Sequence, residues 1–326
     1  MKPRLLMLSL GGTITMMPSA AGGIAPILGA AELLASVPAL ANVAEIEAAS
    51  PFRVASPSLT LTNLLDVAKR LEAAFEDGFD AAVVIQGTDT IEESAFLLDL
   101  LVQGDQPVVV TGAMRGADAP GADGPANLLA AACVAVAPKS RGLGTLVVLN
   151  YDIHAARFVQ KSHTALPSAF RSPLIGPLGT TIEGRPRFYA RIERTPCLSA
   201  DAGPPQPVAL LRAAMGDDTR LMAAVADLGY AGAVIEGMGA GHVHADAAPV
   251  LGELAERIPV VLASRAMTGP VFTQTYGYPG AEIDLIGRGL IPSGYLSGLK
   301  ARLLLGLLLR ETSDRRVIAD AFAEYN

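Results

Sequence analysis

Two apolar runs in this chain stop at glycine, and each delivers groups able to do chemistry. Val83-Val84-Ile85-Gln86-Gly87-Thr88-Asp89-Thr90 ends with a hydroxyl and a carboxylate side by side, and Leu5-Leu6-Met7-Leu8-Ser9-Leu10 runs into Gly11-Gly12-Thr13-Ile14. A threonine hydroxyl is a weak nucleophile until a base takes its proton or neighbouring charge stabilises the alkoxide. Asp89, beside Thr88, and Lys161, in Phe158-Val159-Gln160-Lys161-Ser162-His163-Thr164, are the candidate helpers; a lysine in that role is either a base or a charge clamp. Gly-Thr-Asp-Thr before Ile-Glu-Glu also reads as a helix N-cap with acid in the first turn. Thr90 is the more natural cap, which leaves Thr88 and Asp89 unexplained by capping.

Something must hold these groups at one place. Continuous apolar runs are the pattern of parallel strands buried on both faces, and open α/β sheets bind ligands outside the carboxyl ends of such strands. Thr13 and Thr88 are therefore candidates for one pocket. Strand-like runs at Leu5–Leu10, Ala81–Ile85, Val108–Val110 and Thr145–Asn150 alternate with helical spacing over Leu61–Phe75 and Glu92–Val102. This alternation predicts βαβ units, with right-handed crossovers setting the strand ends on one edge. The Pro-rich stretch around Pro196, Pro204, Pro205 and Pro207 reads as a linker. Beyond it, Ala231–Glu236 and Pro259–Ala263 look like strands around a helical Ala247–Arg257. The expectation is an α/β chain: a larger N-terminal domain (1–195) with a mostly parallel sheet flanked by helices, a linker (196–208) and a smaller C-terminal α/β domain (209–326).

Composition narrows the partners. The 326 residues are 51% apolar, enough for a large core, and the formal net charge is −7. Neither nucleic acid nor an anionic membrane finds a basic footprint here, so a small-molecule partner is expected. Met1-Lys2-Pro3-Arg4 before an apolar run resembles a secretory n-region, but Gly11-Gly12 interrupts it before an h-region develops, and the late run Leu303–Leu309 is too short to span a bilayer. The reading is a cytoplasmic protein. Cys133 and Cys197 are the two cysteines and four histidines make no i,i+4 pair; no disulfide framework, metal or cofactor is expected. Gly11-Gly12 lacks both G-x-G-x-x-G and a Walker lysine.

Further strand ends carry Thr111-Gly112-Ala113-Met114-Arg115, followed by Asp123-Gly124-Pro125-Ala126-Asn127-Leu128, and Gly237-Met238-Gly239-Ala240-Gly241-His242. Asp123-Gly124-Pro125 also reads as a plain turn into a helix, and His242 and His244 as packing or surface residues.

Taken together, Leu10-Gly11-Gly12-Thr13-Ile14, Gln86-Gly87-Thr88-Asp89-Thr90, Thr111–Arg115, Asp123–Leu128, Lys161 and Lys300-Ala301-Arg302-Leu303-Leu304 resemble the motifs of the bacterial-type L-asparaginase/glutaminase family, over nearly the whole chain. The resemblance implies that Thr13 attacks a side-chain amide to form an acyl-enzyme. Thr88, Asp89 and Lys161 would then activate a hydroxyl or water. It further implies substrate contacts from Ser56, Gly87 and Ala113, and from His242 and Glu282 of a neighbouring subunit in a dimer or tetramer whose sites lie at subunit interfaces. Donors aimed at a developing oxyanion are worth about 3 to 4 kcal/mol each in acyl transfer.

The sequence departs from the family at several points. Leu10 stands where threonine is usual, Gln86 where histidine is usual, and His242 where asparagine is usual; residues 16–26 carry no tyrosine, although the family's lid commonly supplies one. Tyr276 or Tyr278 is a candidate replacement. L-Asparagine is the leading substrate; L-glutamine, D-asparagine, a β-aspartyl amide or a small cyclic amide, and a non-catalytic ligand-binding homologue, are the alternatives. A tRNA-dependent amidotransferase subunit fits less well, with a first strand starting at residue 4 and a net charge of −7.

Overall fold

The computed structural model describes residues 1–12, 14, 16–18, 24–26 and 29–326. It divides into two compact units, Met1–Ala200 and Asp201–Asn326.

In the first unit the chain runs through β1 (Arg4–Ser9), β2 (Met16–Pro18), β3 (Ile24–Pro26), α1 (Ala30–Ser36), β4 (Glu45–Ala49), α2 (Leu61–Glu76), β5 (Ala81–Ile85), α3 (Ile91–Leu101), β6 (Val108–Thr111), α4 (Gly124–Ala135) and β7 (Thr145–Leu149). Shorter strands follow: β8 (Asp152–Ala155), β9 (Gln160–Lys161), β10 (Phe170–Arg171), β11 (Gly179–Ile182) and β12 (Arg185–Phe188). Among the described residues, eight strands form the main sheet in the order β12-β11-β8-β7-β6-β5-β1-β4. The strands from β4 to β7 are parallel, as the apolar runs predict, whereas β8, β11 and β12 extend the sheet in antiparallel fashion.

Burial on both faces explains the run Ala81–Ile85, every residue of which is buried. Ala81, Val83 and Ile85 join a core with Leu5, Met7, Val109, Leu128 and Ala131 of the β1, β6 and α4 elements. Their alternates Ala82 and Val84 turn to the opposite face. The helix α2 starts at a capping box in which the Thr60 hydroxyl accepts from Asn63 N (3.2 Å) and Asn63 Oδ1 accepts from Thr60 N (2.9 Å). The two outer strands are charged: β4 exposes Glu45 and Glu47, and β12 exposes Arg185 and Arg187 about Pro186.

The second unit is smaller: β13 (Val208–Arg212), α5 (Arg220–Ala224), β14 (Gly232–Gly237), α6 (Ala247–Arg257), β15 (Val260–Ser264), α7 (Glu282–Gly287), β16 (Ile291–Pro292), α8 (Gly298–Leu308) and α9 (Arg315–Ala323). Its four strands are all parallel, in chain order. Ala248, Leu251 and Leu254 of α6 pack on Ala233, Ile235, Val260 and Leu262, and α8 contacts β13, β14 and β15. Among the described residues no helix is long and apolar enough to cross a membrane.

Candidate active site

The register aligns the strand ends. Ser9 lies opposite Ile85, and Ile85 opposite Thr111, so β1, β5 and β6 stop at one edge of the sheet. Two glycines let the first two chains close up there. Gly12 has φ +96°, and a Cβ on it would lie 2.0 Å from Gly87 N. On Gly87 a Cβ would lie 2.7 Å from Ser56 Oγ. Gly12 and Gly87 thus meet backbone to backbone beside the Ser56 hydroxyl, an approach that requires glycine at both positions. Thr13, the nucleophile that the sequence resemblance implies, lies outside the described residues.

Beyond Gly87 the chain makes a single 3-10 turn, Thr88–Thr90, before α3 begins. Lys161 Nζ, from β9, donates to Thr88 Oγ1 at 2.9 Å and to Asp89 Oδ1 at 2.5 Å. The structure therefore brings Thr88, Asp89 and Lys161 together although 72 residues separate the last two. The pairing β9–β10 and a bond from Lys161 N to Glu92 Oε1 (3.3 Å) hold the lysine's backbone. Its side chain is 15% exposed and that of Asp89 61%, so the set opens to solvent on the carboxylate side. Because Thr88 Oγ1 accepts from Lys161, its own proton is free to point elsewhere. A cationic donor on a threonine oxygen also stabilises negative charge that develops there.

One residue behaves differently from the sequence reading, and another does more than it predicts. Thr90 stands at the N-cap position of α3, yet its hydroxyl makes no capping bond. It donates to Ser56 O (3.2 Å) and accepts from Gln86 Nε2 (3.2 Å), tying the 3-10 turn to the Ser56 loop. Asp123-Gly124-Pro125 does lead into a helix, but the Asp123 carboxylate also accepts from Met114 N (3.0 Å), Arg115 N (2.9 Å) and Asn127 Nδ2 (3.0 Å). Asn127 bonds Gly112 O with Nδ2 (3.0 Å) and Asn150 N with Oδ1 (2.9 Å). This pair fixes the segment that carries buried Ala113 and joins the ends of β6 and β7. Their i,i+4 spacing at a helix start was the available signal. Gln86 is buried, and among the described residues its Oε1 has no hydrogen-bond partner.

In the second unit, the tight turn Met238–His242 after β14 and the start of α7 bring His242 and Glu282 together, with Nε2 to Oε2 at 3.0 Å. The fully buried Glu282 also accepts from Thr275 N (2.9 Å) and Tyr276 N (2.6 Å). Burial pushes its carboxyl up, but the backbone N–H groups of Tyr276, Glu282 and Thr275 and the His242 ring together hold it below the usual carboxylate range. Tyr278 OH lies 2.9 Å from His242 Nδ1, and both Tyr276 and Tyr278 meet the imidazole edge to face. Cys133 and Cys197 are free, with thiols pushed up by burial.

An α/β fold that joins a hydroxyl, a carboxylate and an amine at a parallel strand end is suited to hydrolysis through an activated hydroxyl. The chain belongs to the asparaginase family: residues 4–194 match its "Asparaginase, N-terminal" domain and residues 207–322 its "Glutaminase/Asparaginase C-terminal domain". It is 37% identical to a probable L-asparaginase of Deinococcus radiodurans, over 99% of this chain and 98% of that one. An L-asparaginase of Bacillus licheniformis is 31% identical over 99% of both. The crystal structure of a probable cytoplasmic L-asparaginase from Campylobacter jejuni superposes with a TM-score of 0.89 at 32% identity, covering 99% of this chain and all of that one.

Proposed function

We propose that this chain is an amidohydrolase that converts L-asparagine to L-aspartate and ammonia. The observation that carries the reading is the hydrogen-bonded set Thr88–Lys161–Asp89 at the end of β5, in a chain related over its full length to L-asparaginases. Thr13 supplies the attacking hydroxyl and forms the acyl-enzyme; Lys161 and Asp89 hold Thr88 so that its oxygen takes up and returns a proton as water hydrolyses that intermediate. Ser56, Gly87 and Ala113 line the substrate. The molecule works in the cytoplasm as a homo-oligomer, in which His242 and Glu282 of a neighbour complete each site, and residues 196–208 link the two domains.

Ammonia release from L-asparagine, D-asparagine, L-glutamine and small cyclic amides, with ring opening followed by mass, tests the reading. Turnover of L-asparagine that vanishes in Thr13→Ala is the expected result. Turnover elsewhere in the panel without L-asparagine would reassign the substrate, and no turnover at all would leave a ligand-binding protein.

A further inference from the structure

The ladder between β6 and β7 stops with Val110 opposite Val147, and side chains carry the join beyond it. Thr111 Oγ1 donates to Val148 O at 2.7 Å. One residue further, the Asn127 amide spans the gap, with Nδ2 donating to Gly112 O (3.0 Å) and Oδ1 accepting from Asn150 N (2.9 Å). Its second N–H goes to Asp123 Oδ2 (3.0 Å). Asn127 is 2% exposed, and both of its donors are used. Asp123 stands at the N-cap position of α4 yet makes no capping bond; its carboxylate accepts from Met114 N and Arg115 N instead. A buried polar network with its donors paired selects one arrangement of the backbone that it bridges.

That backbone touches both threonine segments. A Cβ on Gly112 would lie 2.4 Å from Gln86 O and 3.4 Å from Thr88 Cγ2, so the strand end held by Asn127 lies against the turn that presents Thr88. A Cβ on Gly124, the first residue of α4, would lie 2.8 Å from Ile14 Cγ1 and 3.5 Å from Ala113 Cβ. Ile14 follows Thr13 in the chain, is buried, and joins the same core as Ala113 and Leu128. The start of α4 therefore packs on both Ile14 and Ala113, and Asn127, one turn into the helix, pins it to the end of β6.

We propose that Asn127 is a positioning residue of the amide hydrolysis: through Gly112 and the start of α4 it sets the spacing between the Thr88 turn, Ala113 and the segment that continues from Thr13. The inference rests on the amidohydrolase reading above. Asn127 exchanges no proton; its part is to hold the frame to which the reacting groups are attached. Reaction in a bound complex depends on a near-attack geometry, and a displacement of about 1 Å costs about 100-fold in rate. Loss of the bond to Gly112 O leaves a buried carbonyl without its donor and lets the end of β6 move against Thr88. Ser56 is tied to the site by Thr90 and Gly87 rather than by this network, so ground-state binding persists.

The test compares the parent with Asn127→Asp, Asn127→Ala and Val134→Ala in ammonia release from L-asparagine, with urea unfolding and L-aspartate binding alongside; if the parent turns over another amide of the panel, that amide takes its place. Asn127→Asp keeps the volume and the acceptor for Asn150 N but takes the donor from Gly112 O. Val134→Ala, on the same helix and fully buried in the core, lowers the urea midpoint without touching the network. Both Asn127 variants are expected to lower kcat about 10-fold to 100-fold with KM within about threefold, whereas Val134→Ala keeps kcat within about twofold. A folded Asn127 variant with kcat within about threefold of the parent overturns the role, as does an equal loss of kcat in Val134→Ala. Should neither Asn127 variant fold, Asp123→Asn decides, since it takes an acceptor from Met114 N or Arg115 N at the partly exposed end of the network. It is expected to lower kcat at least about fivefold at unchanged KM, and an unchanged kcat overturns the role. A parent that hydrolyses no amide overturns the amidohydrolase reading and this proposal with it; an active parent that Asn127→Asp matches overturns the positioning role alone.

Discussion

Replacing Lys161 by methionine keeps the length of the side chain and removes both bonds that organise Thr88 and Asp89. The two bonds differ in worth. Thr88 is buried, and a hydrogen bond from a charged donor to such a group contributes about 1.5–3 kcal/mol. Asp89 is 61% exposed, so its ion pair is screened and contributes about 1 kcal/mol at most. Together they amount to about 1.5–4 kcal/mol, which at about 1.4 kcal/mol per decade is a loss of about tenfold to 1,000-fold in kcat/KM. If the set acts only as the acyl-enzyme forms and breaks, kcat falls with it while substrate binding stays. Lys161→Arg keeps the charge, but a planar fork cannot reproduce two bonds from one point, so an intermediate loss is expected. Steady-state ammonia release at 25 °C, with Asp89→Asn and the Lys161→Met/Asp89→Asn double variant alongside, is the assay. Groups acting as a unit give a double variant little worse than Lys161→Met alone. Full kcat/KM in Lys161→Met, or strict additivity in the double variant, refutes the role assigned to the set.

Two further outcomes follow from the same structure. Gly12→Ala puts a methyl group on a backbone of φ +96° and 2.0 Å from Gly87 N; the strand ends must part, and we expect at least about tenfold lower kcat/KM and about 2 kcal/mol lower stability in denaturant unfolding, whereas unchanged values would show that the apposition is dispensable. His154 is 1% exposed with Nδ1 on Ser172 Oγ (3.0 Å), and burial lowers its pKa from 6.5 to about 4. The unfolded chain takes up this proton below 6.5 and the fold refuses it until about 4, so stability is complete above 6.5, falls by about 1.4 kcal/mol per pH unit as the solution is acidified, and loses about 3 kcal/mol in full. His154→Gln should flatten urea-unfolding midpoints between pH 6.5 and 4; parallel pH profiles for the two proteins would contradict a buried neutral ring.

The parts of the fold legible in the sequence are those in which burial leaves a continuous mark. Runs such as Ala81–Ile85 and Thr145–Leu149 read as strands because both faces are covered. The antiparallel extension did not read, since β8, β11 and β12 are four residues each and mix Thr180, Arg185 and Arg187 with apolar positions. Thr88, Asp89 and Lys161 were separately visible as residue types at strand ends, and their meeting is a result of the topology. Thr90 was misread as a cap because sequence shows a hydroxyl at the right offset but not the competing carbonyl of Ser56, 34 residues away. The His242–Tyr278 bond, 36 residues apart, leaves no spacing pattern either.

The charged outer strands of the main sheet bear on how the protein behaves in a crowded solution. A bare strand edge is a template for another chain, and repeated glutamates on β4 and arginines on β12 make each edge repel its own copy. Pro186 removes a donor from the second edge as well. Each edge thus discourages pairing with the same edge of another copy. A library aimed at altering specificity through the strand-end loops keeps this same-edge repulsion so long as Glu45, Glu47, Arg185 and Arg187 are kept.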